Sequence, residues 1–285
     1  MKVVPADGYG AQALSTCFSA AFEGYIAGSM VMAAADLTRF LDRQGADLGL
    51  SRCVVDDDGE LLGLCFVGAF DGRRRIGGMG MLPRARGSGA AGLLLRRVIG
   101  EARSAGCSAL ELEVFAQNTP AVRLYRSHGF VEIAPLWGYE RVAGAPVAAG
   151  TVPKRIGRRR AGGWLLARGR ADLPYQVSGH ALAHADPSAT LWRIGRAVML
   201  FSEVAPGRLM IGLLNDLDPA QHDASRLLAA LIEAHPGHTI KVPQLMRDEV
   251  AGAALRAMGF VPMALHQLQM RLALDDVPGS RLSPG

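Results

Sequence analysis

Residues 81–91 read MLPRARGSGAA and hold the most informative pattern in the chain. They follow a predicted strand over residues 75–82 and open a predicted helix over residues 88–105. Gly87 and Gly89 carry no side chain, so neighbouring backbone N–H groups can point toward one anion, and the helix start adds the positive end of its dipole. The pattern predicts a phosphate or pyrophosphate ligand. For the loop alone, an ordinary glycine-rich turn is the alternative.

The loop differs from two common phosphate-binding sequence patterns. It lacks the third glycine and the downstream acidic residue of the dinucleotide fingerprint, and it lacks the Gly-Lys-Ser/Thr ending of the Walker loop. The residues that follow therefore have to identify the ligand.

A strand and a helix come next along the chain. Residues 109–115 predict a strand that carries Glu111 and Glu113. Residues 119–128 predict a helix with Thr119 as its N-cap, Pro120 at the first helical position and Gly129 as its stop.

Together, the loop and this second segment resemble the GNAT N-acetyltransferase superfamily. The acyl-CoA loop of that superfamily reads Gln/Arg-x-x-Gly-x-Gly/Ala, which Arg86, Gly89 and Ala91 match. Its later signature of Asn, Ala, Leu-Tyr and Gly-Phe is matched by Asn118, Ala121, Leu124, Tyr125, Gly129 and Phe130.

The resemblance implies an acetyl-CoA site. The backbone of the loop would hold the pyrophosphate through Arg86, Gly87, Ser88, Gly89, Ala90 and Ala91. The strand end, Met79, Gly80 and Met81, would bond the pantetheine arm and polarise the thioester carbonyl. Ala121 and Tyr125 would also lie beside acetyl-CoA. Asn118 would bond the pantetheine arm or an ordered water, and a simple helix-start role is its alternative.

The resemblance also implies how transfer proceeds. An amine attacks the thioester directly, and Tyr125 protonates the leaving thiolate, which a phenol with an ordinary pKa of about 10 can do. Glu113 stands at the place where the branch that acetylates protein N-terminal amines has its base. The alternative is that Glu111 and Glu113 share a wet face of the strand. Residues 76–80 carry no carboxylate where many relatives have one.

The second half of the chain repeats the rhythm of the first at an ungapped offset of 130 residues. Residues from Ala121 and from Ala251 agree at six of 15 aligned positions, including Gly129/Gly259 and Phe130/Phe260. The offset replaces the loop and the catalytic positions, since Arg86 to Gly89 map to Asp216, Leu217, Asp218 and Pro219, and Tyr125, Glu113 and Asn118 map to Leu255, Pro243 and Asp248. We therefore expect the second half to be non-catalytic.

This repeat gives a domain prediction. Residues 1–142 would be the catalytic GNAT domain, 143–162 a basic Gly/Pro linker, 163–274 a degenerate GNAT-like domain and 275–285 a flexible tail. The predicted fold class is α/β (α+β), with two GNAT-like domains, each a mixed, mostly antiparallel sheet flanked by helices.

Composition restricts the function classes. Hydrophobic residues make up 49% of the 285 residues, and no run of 18 apolar residues or signal-peptide stretch occurs, so no membrane association is expected. The four scattered cysteines fit reduced thiols in a cytoplasmic protein. His180 and His184 lack a metal-binding motif, so no metal is expected. The basic residues at 154–160 lack interleaved aromatics, so nucleic-acid binding is not expected.

The sequence thus predicts a cytoplasmic N-acetyltransferase with acetyl-CoA and an amine acceptor as its partners. The acceptor would be a small molecule or a peptide N-terminus, and a homodimer is kept open. The alternative is a catalytically weak acyl-CoA-binding sensor or scaffold.

Overall fold

The structure is a computed structural model that describes residues 1–144 and 147–274. The predicted tail, 275–285, and two residues of the predicted linker, 145–146, lie outside the described residues. The strands are β1 Lys2–Pro5, β2 Ala46–Val55, β3 Leu61–Phe70, β4 Arg73–Met81, β5 Ala109–Phe115, β6 Val131–Arg141, β7 Lys154–Arg155, β8 Thr190–Ile194, β9 Ala197–Ala205, β10 Arg208–Asp216, β11 Thr239–Met246 and β12 Val261–Ala273. The helices are α1 Ala11–Ala21, α2 Leu37–Gln44, α3 Ala90–Ser104, α4 Thr119–Ser127, α5 Arg158–Arg168, α6 His222–Ala234 and α7 Ala253–Ala257.

The chain forms two compact units. The first contains residues 1–114, 118–133 and, at the end of the described chain, 270–274. The second contains residues 115–117 and 134–269. The mixed α/β class with mostly antiparallel strand pairing, predicted from the sequence, is confirmed.

In the first unit, four strands pair antiparallel in the order β1-β2-β3-β4, and β5 joins β4 in parallel. The described end of β12 follows β5, where the Leu274 N–H donates to the Ser108 carbonyl at 2.9 Å. Helix α3 makes the crossover between β4 and β5. Its buried residues include Leu94, Leu95 and Val98, which recur at helical spacing and turn one apolar stripe into the core.

The second unit has the same rhythm. Strands β7, β8, β9 and β10 pair antiparallel in sequence order, α6 crosses over, and β11 pairs in parallel with β10. Strand β6 then lies beside β11, with Tyr139 opposite Val242. The shared order agrees with the predicted repeat, while the duplication itself stays a prediction.

The unit boundaries differ from the predicted ranges 1–142 and 163–274 at two strands. Residues 134–142 pack in the second unit, and residues 270–274 pack in the first. One continuous strand, β6, runs across this boundary from Val131 to Arg141. The range predicted as a linker also contains β7 and the start of α5. Arg158, the first residue of α5, donates hydrogen bonds to the carbonyls of Asp186 and Ala189.

Candidate functional site

The glycine-rich loop opens α3 with a set of unpaired N–H groups. Gly87 and Gly89 have φ values of +78° and +87°, which only glycine adopts at little cost. Gly89 is the N-cap, and it has no side chain that could accept an N–H of the first turn. Within the described residues, the N–H groups of Gly87, Gly89, Ala91 and Gly92 have no hydrogen-bond acceptor. Four donors at one helix start form an arrangement that binds anions.

The other N–H groups of the loop are engaged within it. Those of Arg86 and Ser88 donate to the carbonyls of Pro83 and Ala85, and that of Ala90 donates to the Ser88 hydroxyl at 3.3 Å. Only half of the predicted pyrophosphate contacts, 86–91, are therefore available from the backbone as it stands.

The Arg86 side chain points into the unit rather than toward the free N–H groups. Its Nε donates to the Met81 carbonyl at 3.3 Å, and its Nη2 donates to the Ala21 carbonyl at 3.1 Å. Arg86 thus fastens the loop to the end of β4 and the end of α1.

Strands β4 and β5 diverge beside this loop. Their parallel pairing covers only Arg74–Ile76 against Leu110–Leu112. At Gly77 the β3–β4 register slips, since Phe66 faces Gly78 while Val67 faces Ile76, and this bulge bends β4. The region between the two diverging strands is called the fork below. Met79, Gly80 and Met81 lie on its β4 side with no partner on β5.

Helix α4 begins one residue earlier than predicted, and its cap is Asn118 rather than Thr119. The Asn118 side chain accepts the Ala121 N–H at 3.4 Å, which fits the simple helix-start role that the sequence left open. A side-chain hydrogen bond also joins Asn118 to Tyr25, in the loop after α1. Gly129 ends the helix with a φ of +89°, as predicted.

Tyr125 lies on the buried face of α4. Only 7% of the residue is exposed, and its ring meets the Phe130 ring edge-on with centroids 5.6 Å apart. Burial, and then the neighbouring Cys65 thiol and Tyr25 phenol, raise the pKa of Tyr125. The phenol therefore keeps its proton at neutral pH, and the raised pKa also makes it a weaker acid than an ordinary tyrosine.

Glu113 is buried in an ion pair with Arg75. The side chains of Arg75 and Glu113 are 3% and 4% exposed, and both carboxylate oxygens accept hydrogen bonds from the guanidinium, the shortest at 2.5 Å. The alternative of a wet strand face is wrong for this residue. Whether Glu113 is the base stays a prediction.

Glu111 belongs to a second buried ion cluster on the same face. It is 1% exposed and pairs with Arg73 at 3.0 Å and with Arg271 at 2.7 Å. Arg271 lies on the last strand, so the first unit recruits a charge partner from the end of the described chain.

In the second unit, the Asp216 carboxylate accepts N–H groups at and before the start of α6, where the first unit has its unpaired N–H groups at the start of α3. Asp216 ends β10, and its oxygens accept the N–H groups of Ala224 at 2.7 Å and Asp218 at 2.9 Å. Burial raises the pKa of Asp216, and these two N–H groups act in the other direction.

The ungapped offset is wrong at this loop. Residues 82–89 join β4 to α3, but only residues 217–221 join β10 to α6. Asp216 therefore corresponds in position to Met81, the last residue of β4, rather than to Arg86. The offset of 130 holds further on, where β6 and β12 begin at Val131 and Val261.

The chain itself fills the diverging end of β10 and β11. These strands pair only over Arg208–Met210 against Thr239–Lys241, and Leu173 and Val177 belong to the same buried cluster as Leu214 and Met246 beyond the paired residues. Arg247, with 2% of its side chain exposed, holds this segment through Asp172 at 2.7 Å.

Burial alone would raise the pKa of Asp172, but hydrogen bonds from Arg170 and Arg247 outweigh it and hold the pKa at about 2. The carboxylate is therefore ionised at neutral pH and available to both arginines.

Two aromatic residues of β6 lie in the second unit. Tyr139 is 1% exposed, and its hydroxyl donates to Asp248 at 3.3 Å, so packing accounts for it. Trp137 stacks on His266 with centroids 4.5 Å apart.

Two features are absent from residues 1–144 and 147–274. No cluster of three or more His, Cys, Asp or Glu side chains is arranged to hold a metal ion there. No helix in those ranges has the length and apolar content needed to cross a membrane.

Tyr25 and Arg75 are the site residues that sequence reasoning missed. Arg73 and Arg75 alternate along β4 just as Glu111 and Glu113 alternate along β5, and this matched spacing could have predicted the ion pairs. No comparable pattern singles out Tyr25.

Comparisons with known proteins give a sequence family for part of the chain and a fold for nearly all of it. The sequence model described as Acetyltransferase (GNAT) family matches residues 32–130. No curated protein sequence matches the chain.

Solved structures resemble nearly the whole chain. A GCN5-related N-acetyltransferase from Sphaerobacter thermophilus has a TM-score of 0.63 at 18% identity, covering 95% of this chain and 94% of its own. One from Anabaena variabilis has a TM-score of 0.64 at 15% identity, covering 96% and 73%. One from Kribbella flavida has a TM-score of 0.60 at 16% identity, covering 96% and 71%. At these identities the likeness shows the fold.

Proposed function

Because residues 32–130 are a domain of the GNAT acetyltransferase family, we propose that this protein transfers an acetyl group from acetyl-CoA to a primary amine. The observation that carries the proposal is the set of unpaired N–H groups at Gly87, Gly89, Ala91 and Gly92. Four donors at a helix start suit the pyrophosphate of acetyl-CoA. The fork beside the loop supplies an unpaired strand edge for the pantetheine arm.

Transfer proceeds by direct attack in a ternary complex. The amine nitrogen forms a bond to the thioester carbon while the bond from carbon to sulfur breaks. The thiolate takes a proton from the Tyr125 phenol, which burial keeps protonated. A backbone N–H of residues 79–81, on the edge of β4 that faces the fork, polarises the thioester carbonyl.

The amine must lose a proton before or during attack, and Glu113 is the candidate base. Its carboxylate would have to open the Arg75 pair to accept that proton, because both oxygens are engaged. The Glu113→Gln variant then distinguishes a base from a residue that acts only in binding or folding. A base requires that turnover collapse while acetyl-CoA binding stays unchanged.

The acceptor class is a small-molecule amine or a peptide N-terminus. A catalytically weak acyl-CoA sensor or scaffold is the second candidate, and the engaged state of Glu113 is the observation that favours it. We place the protein in the cytoplasm.

Calorimetric titration of acetyl-CoA into the full chain tests the proposal. We expect one site per chain, because Asp216 and the segment around Leu173 fill the corresponding positions of the second unit. Free-thiol release across a panel of amines then separates an enzyme from a sensor. Two sites would contradict the reading of the second unit, and no binding would overturn the proposal.

A further inference from the structure

Arg75 joins three elements at the root of the fork. On β4 it is one of the last residues that pair with β5. Its Nη2 donates to Glu113 on β5 at 2.5 Å, and its Nη1 donates to the Gln44 carbonyl, at the end of α2, at 2.9 Å. A further bond runs from Nη2 to the Gln44 side-chain oxygen at 3.1 Å. All five donors of an arginine lie in one plane, so such a contact fixes direction as well as distance.

Gly77 makes room for this arrangement. A Cβ at Gly77 would lie 2.9 Å from the Gln44 Cβ and 3.3 Å from the Arg75 Nη1. The same residue forms the bulge that bends β4 away from β5. The bulge, the missing side chain and the ion pair thus coincide at the point where the strands separate.

We propose that Arg75 and Glu113 are a positioning pair that sets the geometry of the fork for acetyl-CoA, and that Glu113 is not the base. The inference rests on the proposed function and assigns Glu113 a different role within it. A buried carboxylate with both oxygens on one guanidinium holds two strands together, whereas a base must present an oxygen to the incoming amine. Through Gln44, the pair also anchors the end of α2.

The structure supplies a matched control two residues away on each strand. Arg73 and Glu111 form a buried pair of the same chemistry on β4 and β5, further from the fork. Loss of either carboxylate leaves buried arginine with fewer partners, so both glutamine variants should lower the melting temperature. Only the pair at the fork should affect the ligand.

The experiment measures two quantities for each variant, the melting temperature and the Kd for acetyl-CoA by calorimetry well below that temperature. We expect Glu113→Gln to weaken acetyl-CoA binding about tenfold, because small displacements of a binding strand are costly. Glu111→Gln should leave the Kd within about twofold of the wild type, since its pair lies outside the fork.

A double variant keeps the test valid if the single variant is too unstable. Arg75→Met with Glu113→Leu removes both charges together, which commonly restores stability lost by removing one partner. We expect its melting temperature to recover toward the wild type while the Kd stays weakened.

Three results would overturn the inference. An unchanged Kd in Glu113→Gln would mean that the pair does not set the geometry of the fork for acetyl-CoA. Equal weakening in the two glutamine variants would mean general destabilisation, and recovery of the Kd with stability in the double variant would make the pair merely structural. If the wild type itself fails to bind acetyl-CoA, the proposed function fails first.

Discussion

Tyr125 is buried, and the pKa of its phenol is raised. It is nearly inaccessible, and it lies on α4 about two turns after Asn118, which bonds to Tyr25. The Tyr25 phenol adds to the effect of burial in raising the pKa of Tyr125. The Tyr125 phenol is therefore neutral at neutral pH, as the proposed proton donor has to be.

Replacement of Tyr125 by Phe tests this role. We expect kcat to fall at least about tenfold, the usual contribution of a general acid, while the Kd for acetyl-CoA changes little. The ring contact with Phe130 is kept by the substitution, so folding should be preserved. Steady-state kinetics beside calorimetry measure both quantities, and an unchanged kcat would remove Tyr125 from the mechanism.

The raised pKa of Tyr125 makes a prediction about pH. A raised pKa means that the phenol loses its proton only above the ordinary value of 10.0, so kcat should not decline between about pH 7 and pH 10. A pH–rate profile of the wild type and of Tyr125→Phe measures this, and the two should have the same shape. A decline below pH 10 that disappears in the variant would show that the phenol ionises earlier.

At the scale of the element, two glycines of α3 and its N-cap differ in backbone conformation. Gly89 has a positive φ at the helix start, whereas Gly100 lies on the exposed face within α3. Neither has an atom within 4 Å of where a Cβ would stand, so space is not the issue.

We expect alanine at the two positions to act in opposite directions. Gly89→Ala should destabilise the fold by about 1 kcal/mol, because an L-residue resists the left-handed region. Gly100→Ala should stabilise it by about 0.5–1 kcal/mol, since alanine is the better helix former. Denaturant unfolding measures both effects. Gly89→Ala alone should weaken acetyl-CoA binding, and equal affinity in the two variants would contradict the loop assignment.

Elements with strong periodicity were predictable from the sequence. Strand β5 occupies the predicted residues 109–115, and α3 begins two residues after its expected start. Strands β8 and β9 were not predicted, and Gly195 and Arg196 form the two-residue turn that joins them. The helix cap moved from Thr119 to Asn118 because both residue types cap well and only tertiary contacts choose between them.

The candidate site was predictable where backbone conformation decides it. Gly87 and Gly89 predict a turn from the sequence alone, and their positive φ values confirm it. The ion pairs depend on which strands become neighbours. Arg271 reaches Glu111 across 160 positions of sequence, and local pattern carries no information about such a partner.

At the scale of the whole molecule, each unit is assembled from separate stretches of chain. The first unit needs residues 270–274, among which Met270, Leu272 and Leu274 are buried. A boundary drawn at residue 142 would therefore cut through the second unit and leave the first without its last strand.

Two truncations test this composition. A chain that ends after Gln269 loses the Arg271–Glu111 pair and the buried side chains that follow, so we expect a loss of at least about 3 kcal/mol in unfolding free energy, or insolubility. A chain that ends after Leu274 keeps every contact described for the first unit and serves as the control. Equal melting temperatures for the two chains would mean that the last strand contributes nothing.

The recruitment of the last strand has a consequence for synthesis on the ribosome. The loop, the fork and Tyr125 all lie within the first 130 residues, which leave the exit tunnel first. The strand that pairs with the other edge of β5 emerges only with residues 270–274. Until then the outer edge of β5 is exposed to other nascent chains, and its pairing must wait for more than half of translation. A ribosome that stalls late would thus release a chain that contains every proposed catalytic residue but has an unpaired edge at β5.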